Sequence, residues 1–322
     1  MTMRLGILST ARINRLVIPG ARAADGVELV AVASRDRGRA EEYARTWEIP
    51  RALGSYEALL EDSEVDAVYI SLPNGLHVEW SIRALEAGKH VLCEKPLDRR
   101  PDEVERAFDA ADSSGRVLME AFMYRHHPQT RRLVELVDEG AIGGLQLVRS
   151  AFSFTVTNPD VNVRTQPELD GGSLMDVGSY CISGSRLLAG EPVRVYGEQV
   201  TDHGVDVRFH GTMRFAAAVV AQFDCGFVLP GRDELEAIGT EGSLFLDDPW
   251  HAYEPTIELR RRDGVERIEV ERADSYRLEL ENLAAAARGE AEPLLGRADA
   301  VAQARVIDAL YRSAAAHEPA EP

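Results

Sequence analysis

Asp176 and Tyr180 stand four residues apart in the segment Gly171-Gly-Ser-Leu-Met-Asp176-Val-Gly-Ser-Tyr180. On a helix that spacing places a carboxylate and a phenol on one face. The pair suits binding a polar substrate and passing a proton. A phenol with a pKa of about 10 is a poor acid or base at neutral pH, so a neighbouring cation has to favour its ionised form. Lys95 is the candidate. In Cys93-Glu94-Lys95-Pro96 it directly follows the apolar run His90 to Cys93 and is held by a proline. The plain alternatives are Tyr180 as half-buried core and Lys95 as a solvated surface lysine.

A second group of residues points to a dinucleotide. The first apolar run, Arg4 to Leu8, leads through Gly6-Ile-Leu-Ser9-Thr10-Ala11-Arg12. A turn that lets backbone approach a pyrophosphate needs small residues, and the helix after it supplies N–H donors and a favourable dipole. Gly6, Ser9 and Ala11 are small, although Ser9 stands where glycine is usual; an ordinary strand-to-helix turn is the alternative. The next run, Glu28 to Ser34, ends in Ser34-Arg35, about 20 residues on, where the ribose-reading side chain is expected. An acid there would mark NAD. Arg35 offers a cationic fork for a 2′-phosphate instead, and Arg39 adds charge one turn later. Asp36 is expected to cap the following helix. The expected cofactor is therefore NADP(H), with NAD second, and a solvated Arg35 as the alternative. The third main run ends in Ser71-Leu72-Pro73-Asn74-Gly-Leu-His77 and the fourth in Glu94-Lys95. Ligands bind outside the carboxyl ends of parallel strands, so Leu72, Pro73, Asn74, His77, Glu94 and Lys95 are expected at one crevice.

The elements that must hold these residues follow from periodicity. Apolar runs at Arg4 to Leu8, Glu28 to Ser34, Ala67 to Leu72, His90 to Cys93 and Val117 to Glu120 alternate with helical patterns. Those patterns cover Asp36 to Trp47, Tyr56 to Glu61, Gly75 to Ala87 and Pro101 to Ser114. Such alternation implies a parallel sheet with helices on both faces. After about residue 122 the pattern changes. A helix is expected at Pro128 to Glu139. Strands are expected at Leu145 to Phe154, Val193 to Thr201, Val207 to Phe215, Ala218 to Phe227 and Glu234 to Gly239, with one helix between them at Leu174 to Leu188. Two helices, Ser275 to Arg288 and Ala298 to Ala316, precede a frayed His317 to Pro322. The expected fold is α/β: a doubly wound parallel sheet over 1–122, then an α/β domain with a large open, mostly antiparallel sheet over 123–322. The C-terminal helices are free to pack back on the first domain.

Composition excludes other classes. A formal charge of -18 over 322 residues argues against nucleic acid and anionic membranes. The three cysteines are odd in number and none is in a C-x-x-C pair, which implies reduced thiols and no zinc. No apolar stretch is long enough to span a bilayer, and nothing at the N-terminus reads as a signal peptide; a cytoplasmic location is expected. His126 and His127 are adjacent and His203 and His210 isolated, so no metal site is expected. Asp247-Asp248 before Pro249 reads as a turn. Paired acids such as Asp170 and Asp176 would suit glycoside hydrolysis, but acids are common in so acidic a chain.

Along nearly its whole length the chain resembles the Gfo/Idh/MocA oxidoreductase family. The resemblance rests on Gly6-Ile-Leu-Ser-Thr-Ala-Arg12, Pro73-Asn74-x-x-His77, Glu94-Lys95-Pro96 and Gly171-Gly-x-Leu-x-Asp176-x-Gly178-x-Tyr180. It implies an N-terminal Rossmann domain, an open-sheet domain often used for oligomerisation (homodimer or homotetramer), and hydride transfer at the nicotinamide. Tyr180-Cys181, where many members carry a histidine, resembles the branch of dihydrodiol dehydrogenases, glucose–fructose oxidoreductase and NADP-dependent xylose dehydrogenases. That branch implies Lys95 and Tyr180 as the catalytic pair, acting on a sugar-like small molecule. Asp176 is expected to orient a substrate hydroxyl, with Arg164 and Asn162 lining the pocket. A non-catalytic NADP-binding sensor and an NAD-linked polyol dehydrogenase are the competing functions.

Overall fold

The structure, a computed structural model, describes residues 2–322. In chain order it runs β1 (Met3–Leu8), α1 (Asn14–Ala23), β2 (Val27–Ala33), α2 (Arg37–Thr46), β3 (Arg51–Leu53), α3 (Tyr56–Leu60), β4 (Ala67–Ile70), α4 (His77–Glu86), β5 (His90–Glu94), α5 (Pro101–Ser114) and β6 (Leu118–Ala121). It continues through α6 (Pro128–Asp138), β7 (Leu145–Thr155), a π-helical turn (Leu174–Gly178), α7 (Ser179–Ala189), β8 (Pro192–Asp202), β9 (Val205–Phe215), β10 (Val220–Gly226) and β11 (Val228–Gly239). β12 (Gly242–Leu246), β13 (Thr256–Arg261), β14 (Gly264–Glu269), α8 (Ser275–Ala287) and α9 (Arg297–Ala316) complete it. The chain divides into two compact units, 1–123 with 274–301, and 124–273 with 302–322.

In the first unit a six-stranded sheet has the order β3-β2-β1-β4-β5-β6, parallel throughout. This is the doubly wound arrangement, with its topological reversal between β1 and β4. The inner strands are buried on both faces, as apolar runs without alternation require: Leu5, Ile7, Val32, Val68, Ile70, Val91 and Leu92 are all at 0% exposure. Arg51 to Leu53, absent from the expected strands, forms the short edge strand β3. Helix α8, far along the chain, packs on α1, β2 and β5. Its approach to α1 is close, since a Cβ on Gly20 would lie 2.9 Å from the Arg277 backbone nitrogen.

In the second unit an eight-stranded sheet has the order β14-β13-β12-β11-β7-β10-β9-β8. Its pairings are antiparallel except β7 with β10, so the mostly antiparallel sheet expected from sequence is present. Helix α7 packs on β7, β10 and β11. Two expectations are corrected. The helix expected over Leu174 to Leu188 begins as a π turn through Gly178 and only then becomes α. The tail at 317–322 is not frayed: Ala320 exchanges two backbone hydrogen bonds with Val195, at 2.8 and 2.9 Å, and Ser313 Oγ donates to the Glu318 carbonyl.

Candidate active site

The first unit carries the residues expected to hold a dinucleotide. Gly6 lies inside β1, not in the turn. A Cβ there would meet Leu59 at 2.9 Å, so this glycine serves strand–helix packing. The turn itself is Ser9 to Arg12. Ser9 has φ 149°, in the region glycine prefers, and its hydroxyl compensates. It donates to the Ser71 carbonyl (3.1 Å), stands 2.8 Å from Ser71 Oγ and accepts from Ala11 N–H (3.0 Å). Asn14 completes the network, donating to the Ser9 carbonyl (2.9 Å) and accepting from Ser71 Oγ (2.6 Å). The serine that weakens the fingerprint in the sequence thus ties the end of β1 to the end of β4. No side chain caps α1, which leaves its N-terminal dipole for an anion.

Ser34 closes β2, buried, its hydroxyl accepting from Asp36 N–H (3.3 Å). Asp36 caps α2 as expected, accepting from Arg39 N–H at 2.7 Å. Arg35 is exposed and its guanidinium stands beside the Tyr56 phenol. Burial raises that phenol's pKa, while Arg35 and then Arg39 pull it down. Two guanidinium groups therefore sit around the end of β2, a donor set that fits a 2′-phosphate.

Leu72 and Pro73 leave β4, and Asn74 opens a 3-10 turn that runs into α4. His77 is 1% exposed. Its ring nitrogens lie 2.8 Å from the Leu72 carbonyl and 2.8 Å from the Pro96 carbonyl, and burial lowers its pKa. His77 thus stands between the ends of β4 and β5, and as a neutral imidazole its one ring N–H donates to one of these two carbonyls. Glu94 accepts from the buried Tyr69 hydroxyl. Behind it, Glu279 of α8 is fully buried with neither carboxyl oxygen hydrogen-bonded. Burial, then the Glu94 charge, hold its pKa well above the usual carboxylate range. Lys95, buried, precedes Pro96 through a cis peptide bond.

The second unit carries the residues expected to meet substrate. Gly172 approaches Asp206 so closely that a Cβ would lie 2.3 Å from Oδ1. Asp206, 3% exposed, accepts from Ser173 Oγ (2.7 Å), Leu174 N–H (2.7 Å) and the Tyr311 hydroxyl (2.8 Å). It thereby fixes the start of the π turn; such turns are frequent at functional sites. Asp176 sits in that turn and pairs with Arg164 at 2.5 Å. Asn162 Oδ1 accepts from Arg164 N–H (3.1 Å), and the Arg164 carbonyl accepts from Gly172 N–H (2.9 Å). The structure therefore brings Asn162, Arg164 and Asp176 together.

Tyr180, 7% exposed, follows in α7. Its ring lies against Phe152 (centroids 5.4 Å apart), Tyr124 (5.8 Å) and Trp250 (5.8 Å). Trp250 is fully buried and lies over Gly184, where a Cβ would be 2.9 Å from the ring. Next to it His251 Nδ1 is 2.8 Å from Asp233 and 3.6 Å from Asp248. Burial disfavours its imidazolium, but the two carboxylates outweigh burial and push its pKa up to about 9. The ligating atoms of Asp233, Asp248 and His251 lie within 4.8 Å of one another, a spacing that suits a cation as well as the ion pair. Sequence reasoning missed Phe152, Asp206, Asp233, Trp250 and His251. Only the turn expected at Asp247-Asp248-Pro249 pointed toward this loop.

Comparison with known proteins supplies the family. Residues 3–122 match the model of the oxidoreductase family with an NAD-binding Rossmann fold, and residues 130–245 match the GFO/IDH/MocA C-terminal domain. The chain belongs to the Gfo/Idh/MocA oxidoreductase family. Within that family it is 42% identical over 320 residues to D-xylose 1-dehydrogenase (NADP(+)) 2 of Haloferax volcanii, covering 97% of each chain. It resembles the crystal structure of a 3-ketoreductase from Actinomadura kijaniata in complex with NADP and TDP-benzene, with a TM-score of 0.92, 32% identity and coverage of 97% and 98%. The aldose-aldose oxidoreductase of Caulobacter crescentus, complexed with glycerol, superposes over 100% of both chains with a TM-score of 0.93 at 25% identity. For this Gfo/Idh/MocA member no helix among the described residues is long and apolar enough to cross a membrane.

Proposed function

We propose that the chain is an NADP(H)-dependent dehydrogenase or reductase that transfers a hydride to or from a CH–OH or C=O carbon of a sugar or related polyol or diol. The observation that carries this reading is the end of β2, where Arg35 and Arg39 stand around Tyr56 and no carboxylate occupies the Ser34-Arg35 position. That donor set recognises a phosphate better than a free ribose hydroxyl. The chain-long similarity to NADP-linked sugar enzymes supports it.

Ser34, Arg35 and Arg39 would hold the adenosine end of NADP, and Ser9 to Arg12 with the uncapped start of α1 its pyrophosphate. Leu72, Pro73, Asn74 and Glu94 would line the remainder, with His77 standing between the Leu72 and Pro96 carbonyls. When bound, the nicotinamide supplies the hydride acceptor or donor. Tyr180 takes the hydroxyl proton in oxidation and returns it in reduction. Lys95 is the ammonium that favours the phenolate, and Asp176, held by Arg164, orients a substrate hydroxyl. Three buried free thiols fit a reducing, cytoplasmic setting. The face of the eight-stranded sheet bearing Arg149, Gln222, Asp224, Arg232 and Glu234 is the surface through which a homodimer or homotetramer would form.

The test is fluorescence titration with NADPH and NADH in parallel, then turnover of D-xylose with NADP+. Tight NADPH and weak NADH binding are expected, with turnover lost and NADPH binding kept in Tyr180→Phe. Preference for NADH overturns the role of Arg35, and an unimpaired Tyr180→Phe enzyme overturns that of Tyr180.

A further inference from the structure

We infer that Asp233, His251 and Asp248 form a hydroxyl-reading wall of the substrate site and select a free, uncharged polyhydroxy sugar over a phosphorylated or nucleotide-linked one. The inference rests on the oxidoreductase reading above and names its substrate class.

The sheet register places the trio. Asp233 pairs with Phe152 across β11 and β7. It shares a sheet face with Leu235, two residues on, whose side chain reaches Gly184 of α7, so Asp233 projects from the face that α7 covers. Phe152 meets the Tyr180 ring at 5.4 Å on one side and the His251 ring at 5.7 Å on another, both edge-on. His251 is thus one aromatic ring removed from the phenol that handles the proton. Phe154, two residues along β7, carries the Arg164 guanidinium at 5.7 Å from its ring. Two ion pairs, Arg164–Asp176 and His251–Asp233, therefore stand beside two rings roughly 7 Å apart along the strand, comparable with the breadth of a monosaccharide.

The chemistry of the trio is specific. His251 is locked in place by Asp233, by the Asp248 carboxylate that accepts its backbone N–H at 3.2 Å, and by Tyr253 stacked on its ring at 5.2 Å. Tyr253 itself is 64% exposed. Asp233 is held by His251 Nδ1, with the Trp250 backbone N–H beside it, and its side chain keeps 22% of its surface exposed and that of His251 30%. A sugar hydroxyl can donate to the exposed part of the Asp233 carboxylate and accept from His251 in turn, because a hydroxyl is both donor and acceptor. A phosphate dianion cannot donate to Asp233, and it meets two carboxylates balanced by one imidazolium. Like charge placed against a site discriminates strongly between partners. Asp233 and then Asp248 supply the hydrogen bonds and charge that favour the His251 imidazolium.

The experiment is steady-state kinetics with NADP+ on an aldopentose and on its 5-phosphate, in the wild type, His251→Gln and Asp233→Asn, with NADPH affinity measured alongside. The wild type is expected to favour the free sugar at least a hundredfold in kcat/KM. His251→Gln should raise KM for the free sugar tenfold or more with NADPH affinity kept. Asp233→Asn should narrow the preference tenfold or more. Wild-type KM and an unchanged preference in both variants would overturn the inference, as would a wild-type preference for the phosphate ester. Absence of NADP-linked turnover of any sugar by a wild type that does not bind NADPH would instead overturn the oxidoreductase reading, and this inference with it.

Discussion

Replacing Gly184 by alanine tests whether Tyr180 is positioned by the packing of Trp250. A Cβ at Gly184 would lie 2.9 Å from Trp250 Cη2 and 3.1 Å from Cζ3. To reach ordinary contact, the ring or the helix must yield by about half an ångström. Trp250 has nowhere to go: it is fully buried, with Tyr124 at 5.2 Å, Tyr180 at 5.8 Å and Phe152 at 6.3 Å. Overpacking of this kind costs ~1–3 kcal/mol. Alanine in place of glycine inside a helix returns ~1 kcal/mol, so the net destabilisation should be ~0–2 kcal/mol. The larger effect falls on catalysis. A 1 Å misplacement can cost ~100-fold, so half that shift of Tyr180 should lower kcat by roughly tenfold. The assay is a double-mutant cycle of Gly184→Ala with Trp250→Phe, read by thermal melting and by kcat with NADP+. The smaller ring removes the colliding edge, so Gly184→Ala should cost at least ~1 kcal/mol less in that background. A Gly184→Ala enzyme that melts at or above wild type and keeps its kcat would refute the reasoning.

Two further outcomes follow from buried charges. Asp206→Leu removes the acceptor for Ser173, Leu174 and Tyr311; three bonds to a carboxylate, offset by relief of its desolvation, should cost ~2–4 kcal/mol by thermal melting and raise substrate KM, whereas Asp206→Asn keeps an oxygen for the start of the π turn and should lose much less. His251 has a folded-state pKa of about 9 against 6.5 unfolded, so its contribution is complete below pH 6.5 and is lost as the pH rises through 9, up to ~3 kcal/mol before discounting for solvent screening; melting curves between pH 6 and pH 10 should show that loss in the wild type and not in His251→Gln.

The parallel sheet was legible because buried parallel strands write uninterrupted apolar runs, and helices between them write their own period. Strands β12 to β14 were not. Gly264–Glu269 is exposed at nearly every position, so it carries no alternation between buried and exposed residues, and β12 is five residues long. The π turn at Leu174–Gly178 differs from an α-helix only in hydrogen-bond register, which composition does not encode. Lys95 and Tyr180 stand out in the sequence as residue types beside motifs. The setting of Tyr180 does not, because Tyr124, Phe152, Tyr180 and Trp250 lie far apart in the chain and meet only through the sheet. Ser9 read as a flaw because the hydroxyl partners that offset its backbone conformation, Ser71 above all, are distant in sequence.

The first unit is built from two stretches of chain, 1–123 and 274–301, and this sets a schedule for a nascent polypeptide. β2 and β5 emerge early, yet α8, which packs on both, is synthesised only after the whole second sheet. At typical elongation rates the delay is on the order of 10–40 s. During that interval the ribosome holds a nucleotide-binding sheet with an apolar strip uncovered, so chaperone occupancy should peak before residue 287 emerges and fall once α8 docks. A cell that makes this enzyme therefore guards a half-clad sheet for most of the time each chain takes to build.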